Sequence, residues 1–242
     1  MAALEAVLFD YGDTLMRFSY DRETHLRALA AMLAELGASA AAAELVAAEL
    51  ELRLGPEFAV DVGQDEVDYL MLMRESLAAA GIDAPAEALR DAMAAEHRCW
   101  DASCELHADA AALLDGVRAR GLRVGLVSNA IDLPELMHAD LAMLGLADRI
   151  DAAVFSSELG VRKPHPAIYL YVLERLGVAP ERALFVGDRV SADVAGASAL
   201  GMRTCLARYY RQDGGDQSLA DFRIDAPLEL LAILDRSAAG HG

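Results

Sequence analysis

The sequence of 242 residues combines 55% hydrophobic residues with a formal charge of -18, from 39 acidic and 21 basic side chains. That composition excludes a disordered chain, and so acidic a surface repels nucleic acid and anionic membranes, removing both from the expected partners. No apolar run reaches the roughly 20 residues that span a bilayer, Glu5 and Asp10 interrupt the first apolar stretch with no basic segment before it, and Cys99, Cys104 and Cys205 form neither a disulfide framework nor a zinc motif, so a reducing, cytoplasmic setting is expected.

Ala3 to Phe9 is short and apolar and ends in Asp-Tyr-Gly-Asp-Thr, the pattern of a buried strand entering a loop. About four helices are predicted over Asp21 to Trp100, with breaks at Gly37-Ala38-Ser39, Gly55-Pro56, Val62-Gly63 and Gly81 to Pro85. Leu26, Leu29, Leu33 and Leu36 mark one apolar helix face, and Val67, Leu70, Met71 and Arg74 suggest a second with a polar edge. Strands and helices then alternate. Helices are expected over Ala110 to Arg120, Pro134 to Leu144, Pro166 to about Gly177 and Val190 to Leu200. Strands are expected over Val124 to Val127, Ala152 to Phe155, Ala183 to Val186 and Thr204 to Leu206. Phe222 to Ile224 suits one more strand and Pro227 to Leu234 a helix, while the tail from Arg236 is expected to fray.

Alternation of this kind implies right-handed crossovers and a parallel sheet, an α/β fold. The helical block falls between the first strand and the rest. The expected organisation is a core of residues 1–16 and 101–242 with a four-helix cap domain, residues 17–100, inserted into it.

In an open parallel sheet, ligands bind beyond the carboxyl ends of the strands. The expected strands end in Asp10, in Ser128-Asn129, before the loop that carries Lys163, and in Asp188 with Asp193 just beyond. Topology alone therefore draws carboxylates, a hydroxyl and an ammonium to one rim, and Lys163 is the only lysine of the chain. The set suits phosphoryl transfer, in which two anions must meet. Carboxylate oxygens can hold a hard cation such as Mg²⁺ to screen them, Lys163 adds a compact positive charge, and Ser128 with nearby N–H groups can hold phosphate oxygens. A carboxylate nucleophile would divide one hard step into two.

Four segments in order, Asp10-Tyr11-Gly12-Asp13-Thr14-Leu15, Ser128-Asn129, Lys163-Pro164 and Gly187-Asp188-Arg189-Val190-Ser191-Ala192-Asp193, resemble the four motifs of the haloacid dehalogenase (HAD) superfamily. The resemblance covers nearly the whole chain, and it makes the core Rossmann-like and the helical insert a C1 cap. It implies Asp10 as nucleophile and metal ligand, the Gly12 carbonyl, Asp188 and Asp193 as further groups of a Mg²⁺ site, and Ser128, Asn129 and Lys163 as the phosphate-binding set. The implied substrate is a small phosphorylated metabolite, and the implied protein a monomer or homodimer.

One departure matters chemically. Phosphatases of this superfamily carry a second aspartate two residues after the nucleophile, as proton donor and then as base. Here that position is Gly12, and Asp13 follows. Glycine keeps its carbonyl but has no acid, so Asp13 becomes the candidate replacement, brought inward by a bend that Gly12 permits. Dehalogenases lack that aspartate too, but carry tyrosine there. Phosphonatases use a cap lysine, and residues 1–100 contain no lysine. Two alternatives accompany the phosphatase expectation: a low-turnover protein that binds a phosphorylated ligand, and a 2-haloacid dehalogenase. His165 is expected to do no more than cap the helix opened by Pro166.

Overall fold

The computed structural model describes residues 3–54, 64–100 and 103–239. The breaks expected at Gly55-Pro56 and Val62-Gly63 lie outside the described residues. In chain order the elements are β1 (Ala6–Phe9), β2 (Met16–Phe18), α1 (Arg22–Glu35), α2 (Ala43–Leu54), α3 (Tyr69–Ala79), α4 (Ala86–Arg98), β3 (Cys104–Leu106), α5 (Ala110–Arg118), β4 (Arg123–Ser128), α6 (Pro134–Met143), β5 (Ala152–Phe155), α7 (Ser156–Leu159), α8 (Pro166–Leu176), β6 (Ala183–Gly187), α9 (Gly196–Ala199), β7 (Arg203–Ala207), β8 (Phe222–Ile224) and α10 (Glu229–Ala239).

Six strands pair in parallel in the order β5-β4-β1-β6-β7-β8. All four residues of β1 are buried, as befits a strand covered on both faces. On one face Val7, Phe9, Leu126 and Leu184 pack with α5 and α10, and on the other Leu8, Val127 and Phe185 pack with α8. Gly125 of β4 sets how closely α8 approaches. A Cβ there would lie 2.7 Å from a Val172 methyl and 2.9 Å from Leu8 Cγ. The chain leaves β1 toward β4 and β5, then returns past β1 to lay down β6, β7 and β8. The reversal beside β1 opens the crevice in which such sheets bind ligands.

The helices α1 to α4 enclose apolar residues of their own, among them Leu29, Met32, Leu33, Val46, Leu50, Met73, Leu77, Leu89 and Met93. Asp21 and Asp68 cap α1 and α3 through Thr24 N (2.8 Å) and Met71 N (2.9 Å). The apolar face expected for α3 needs correction. Met71 and Arg74 are exposed, and Tyr69, Leu72, Met73, Ser76 and Leu77, which recur at helical spacing, face inward, with Val67 and Leu70 only partly buried against that core. Val190–Ala195 is a π-helical turn leading into the short α9, where one continuous α-helix was expected. The last helix runs to Ala239 instead of fraying from Arg236, since its early residues Leu230, Ile233 and Leu234 are buried. The two-stranded antiparallel ribbon of β2 and β3 (Met16↔Leu106, Phe18↔Cys104) was not expected, because three-residue strands carry too little periodicity.

Two polar junctions hold α1 to α4 against the sheet's carboxyl edge. At one, both ring nitrogens of His97 (α4) meet carboxylates, Nδ1 that of Asp132 and Nε2 that of Asp140 at 3.1 Å. Burial opposes a charge on this imidazole, but the two carboxylates prevail and hold its pKa up at about 10. At the other, Glu66 N donates to Gly160 O and Arg162 N to Gln64 O, each at 2.9 Å, while Ser156 Oγ donates to the Glu66 carboxylate. Glu96 lies beside the first junction, 2% exposed, and accepts a hydrogen bond from Trp100 Nε1 (2.8 Å). Burial, reinforced by Asp132, pushes its carboxyl up to about 7.

These features yield two expectations. Gly125→Ala should overpack the β4–α8 contact and destabilise by about 1–3 kcal/mol in denaturant titration; an unchanged midpoint would show that α8 shifts freely. An acid whose folded pKa is raised stabilises the fold below its ordinary pKa, and that contribution is lost as pH rises through the folded value. Glu96→Gln should therefore gain in melting temperature relative to the parent as pH rises from about 5 to about 8.5, through the folded pKa of about 7. Parallel melting curves across that range would contradict the burial effect.

Candidate active site

Asp10 follows β1, and its backbone N–H donates to Val186 O (2.8 Å), tying the residue to β6. Its side chain is nearly buried. Oδ1 accepts from Tyr11 N at 2.7 Å and lies 2.7 Å from Lys163 Nζ. The same ammonium donates to Asp193 Oδ1 at 2.7 Å and sits 5.3 Å from the centre of the Phe185 ring. Burial opposes the charge of Lys163, but Asp10 and Asp193 prevail and hold its pKa above the ordinary lysine value. Asn129 fixes the lysine's position. Its Oδ1 accepts from Lys163 N (2.7 Å) and its Nδ2 donates to Lys163 O (3.2 Å).

Asp188 follows β6 directly, and the π-helical turn after it carries Asp193 back toward the sheet. Asp193 Oδ2 accepts from Arg189 N at 2.9 Å. Gly187 is what allows this return, since a Cβ there would lie 2.3 Å from Asp193 Cγ. Carboxylate oxygens of Asp10, Asp188 and Asp193 all lie within 4.8 Å of one another, and all three residues are buried. Burial, then Asp193 and Asp10, push Asp188 up to about 8. Burial likewise pushes Asp193 up to about 6, with Lys163 pulling it down. Oxygen donors crowded together in this way fit a small hard cation.

Asp13, not Gly12, takes the left-handed backbone conformation, at φ 52°. Aspartate tolerates that region better than most side chains, so the bend expected at Gly12 falls one residue later. Asp13 Oδ2 accepts from Arg211 Nη2 at 2.6 Å, and Arg211 Nε lies 2.6 Å from Asp188 Oδ2. One guanidinium thus links the loop after β1 to the residue after β6. Arg211 was missed from the sequence. It stands four residues after β7, and the rule applied to the other strand ends would have found it there. Ser128 closes β4 and is buried. His165 caps α8, its Nδ1 accepting from Ala167 N at 3.2 Å.

Asp10, Asp13, Ser128, Asn129, Lys163, Asp188 and Arg211 line a cavity of about 890 Å³ beyond the strand ends, whereas Asp193 and His165 do not. The far wall comes from the helical insert and its ribbon: Phe18, Tyr20, His25, Leu50, Glu51, Tyr69, Glu96, His97 and Trp100. The insert's two tyrosines, Tyr20 and Tyr69, both line the cavity. Arg22 pairs outside it with Glu44 and Glu51, and Arg53 with Glu49 and Glu75. No helix among the described residues is long and apolar enough to cross a membrane.

Comparison with known proteins agrees with this architecture. Residues 4–201 match the family model described as haloacid dehalogenase-like hydrolase. The glyceraldehyde 3-phosphate phosphatase of Methanopyrus kandleri is 31% identical over 236 residues, covering 96% of this chain and 97% of that protein. The phosphoserine phosphatase of Thermus thermophilus is 37% identical over 134 residues, 54% of this chain and 51% of that one. Among solved structures, a HAD phosphatase from Thermococcus onnurineus superposes with TM-score 0.63 at 25% identity, over 96% of this chain and 98% of that one. A 2-haloacid dehalogenase from Pseudomonas syringae superposes with TM-score 0.71, also at 25% identity, over 96% and 99%. With the motif residues gathered at one strand-end crevice and a family match over most of its length, the chain belongs to the haloacid dehalogenase-like hydrolases.

Proposed function

We propose that the chain is a Mg²⁺-dependent phosphatase of a small phosphorylated metabolite, with Asp10 as nucleophile and residues 17–100 as a cap that closes the site. The observation that carries this reading is the cluster of three buried carboxylates with Lys163 between two of them. Asp10, the Gly12 carbonyl, Asp188 and Asp193 would hold the cation, which when bound screens the substrate's phosphate from the carboxylates. Phosphatase names among the full-length and partial relatives support the same class.

The chain's own residues then divide the work. Lys163 and Ser128 hold phosphate oxygens, and Asn129 fixes Lys163. An Asp10 carboxylate oxygen forms a bond to phosphorus as the bond to the leaving-group oxygen breaks. Water then attacks the aspartyl-phosphate, releasing inorganic phosphate and restoring Asp10. Gly12 supplies no proton to the leaving group. Asp13 lines the cavity, but its carboxylate is engaged by Arg211. Esters with acidic leaving groups therefore suit this site better than alkyl esters.

The dehalogenase reading has one observation in its favour, the higher TM-score with the Pseudomonas syringae enzyme. Attack on carbon needs no cluster of metal-type carboxylates, so Asp188 and Asp193 weigh against it. A protein that only binds a phosphorylated ligand would have no use for a carboxylate beside the phosphate-binding lysine.

Two measurements test the proposal. Release of p-nitrophenol from p-nitrophenyl phosphate should require Mg²⁺, stop with chelator and vanish in Asp10→Asn. Rapid mixing should show a stoichiometric burst if water attack limits turnover. Metal-independent halide release from a 2-haloacid, with no phosphate release, would replace phosphatase with dehalogenase. Gly12→Asp should raise turnover of alkyl phosphates, up to the roughly 10²–10⁴-fold that a general acid–base contributes. Nothing lies within 4 Å of the added Cβ, so the substitution fits. A variant with no gain on poor leaving groups would mean that the proton arrives by another route.

A further inference from the structure

The cavity is electrostatically two-sided. At the strand ends its cations are Arg162, Lys163, Arg189 and Arg211, with carboxylates among them. Among the described residues, the insert's wall contributes no lysine or arginine. Its one cation, His97, is already engaged by Asp132 and Asp140. His25 is held toward its neutral form by burial. What the wall does contribute is aromatic and acidic. Trp100 stacks on Tyr20, ring centres 5.7 Å apart and 24° from parallel, and Tyr69 joins them in lining the space. Glu51 is neutralised by Arg22. Glu96 is not: its bond is the neutral donor Trp100 Nε1, and no ion pair to it exists among the described residues. The nearest cation to Glu96 is His97, and Asp132 and Asp140 already engage it, so acidic groups outnumber cations on this wall; a buried acid in that setting, beside aromatic rings whose faces attract cations, is complementary to a positively charged nitrogen.

We propose that the substrate is a phosphomonoester whose organic half carries an ammonium or other cationic nitrogen and no carboxylate, its phosphate at Lys163 and its nitrogen between Glu96 and the Tyr20–Trp100–Tyr69 wall. This rests on the phosphatase reading and narrows it. A carboxylate-bearing substrate, as the name of a phosphoglycolate phosphatase relative specifies for that protein, would meet Glu96 where the wall's one cation, His97, is already engaged by Asp132 and Asp140. The burial that raises the pKa of Glu96 is the same deficit seen from the protein's side, and an incoming cation relieves it.

Three esters of matched length test the inference: 2-aminoethyl phosphate, 2-hydroxyethyl phosphate and phosphoglycolate. In the intact protein with Mg²⁺, kcat/KM should fall in that order, with about tenfold or more between the amino and hydroxy esters. Glu96→Gln keeps an acceptor for Trp100 and removes the charge, so the amino-to-hydroxy ratio should collapse toward one. Calorimetric binding of the same three esters to Asp10→Asn gives the order independently of turnover. Equal values for the three esters, phosphoglycolate in the lead, or a ratio that survives Glu96→Gln would overturn the inference and leave the phosphatase reading standing. Failure to hydrolyse any ester, p-nitrophenyl phosphate included, would sink the phosphatase reading. The calorimetric order would then decide the charge preference alone.

Discussion

Everything at the strand ends depends on one ammonium group. Lys163 lies 2.7 Å from both Asp10 and Asp193, almost fully buried, with Asp188 in the same cluster. Removing one partner of such an arrangement strands the others as unpaired buried charges, which costs far more than a surface pair contributes. The lysine is placed by its main chain as much as by its charge, because Asn129 grips its N–H and C=O from the neighbouring strand end. That grip relates the β4 and β5 ends to each other, and the ammonium ties both to β1 and β6.

Much of this arrangement was legible from the residues alone. The strands that position it are short, apolar and bounded by Gly, Ser or Asp, and in a parallel sheet their polar terminal residues share one rim. Asp10, Ser128, Lys163 and Asp188 follow from that rule without any contact being known. What the sequence concealed depends on backbone detail or on distance along the chain. The left-handed turn falls at Asp13 and not at Gly12, because the bend follows from the loop's closure and not from which residue tolerates it best. Arg211 reaches Asp13 across 198 positions, a pairing that no local pattern encodes. The Val190–Ala195 segment has ordinary helical composition, yet it widens to a π-turn where Asp193 must point back at Lys163. Widened turns of this kind recur at functional sites for that reason.

The overall charge and the site's chemistry pull in opposite directions. A chain of charge -18 repels phosphate esters at long range. Near the strand ends the balance is local, with four cations interleaved with Asp10, Asp13 and Asp188 on one side of the cavity. Burial strengthens that local field because water does not screen it, whereas the surface charges are screened within about 10 Å in ordinary salt. The field that an anion meets inside the cavity is therefore set by the interior groups more than by the exterior charge.

The ribbon of β2 and β3 has a consequence for how this molecule could have come about. Met16 pairs with Leu106 and Phe18 with Cys104, so the chain departs the sheet region and re-enters it through hydrogen-bonded neighbours. Adjacent strands stand only about 4.8 Å apart, and the ends of the excursion are fixed by their own ladder instead of by what lies between them. The length and sequence of the intervening helices can change without altering the register of β1 against β4 and β6. The cavity's far wall can therefore be exchanged as a cassette while the strand ends beneath it keep their places.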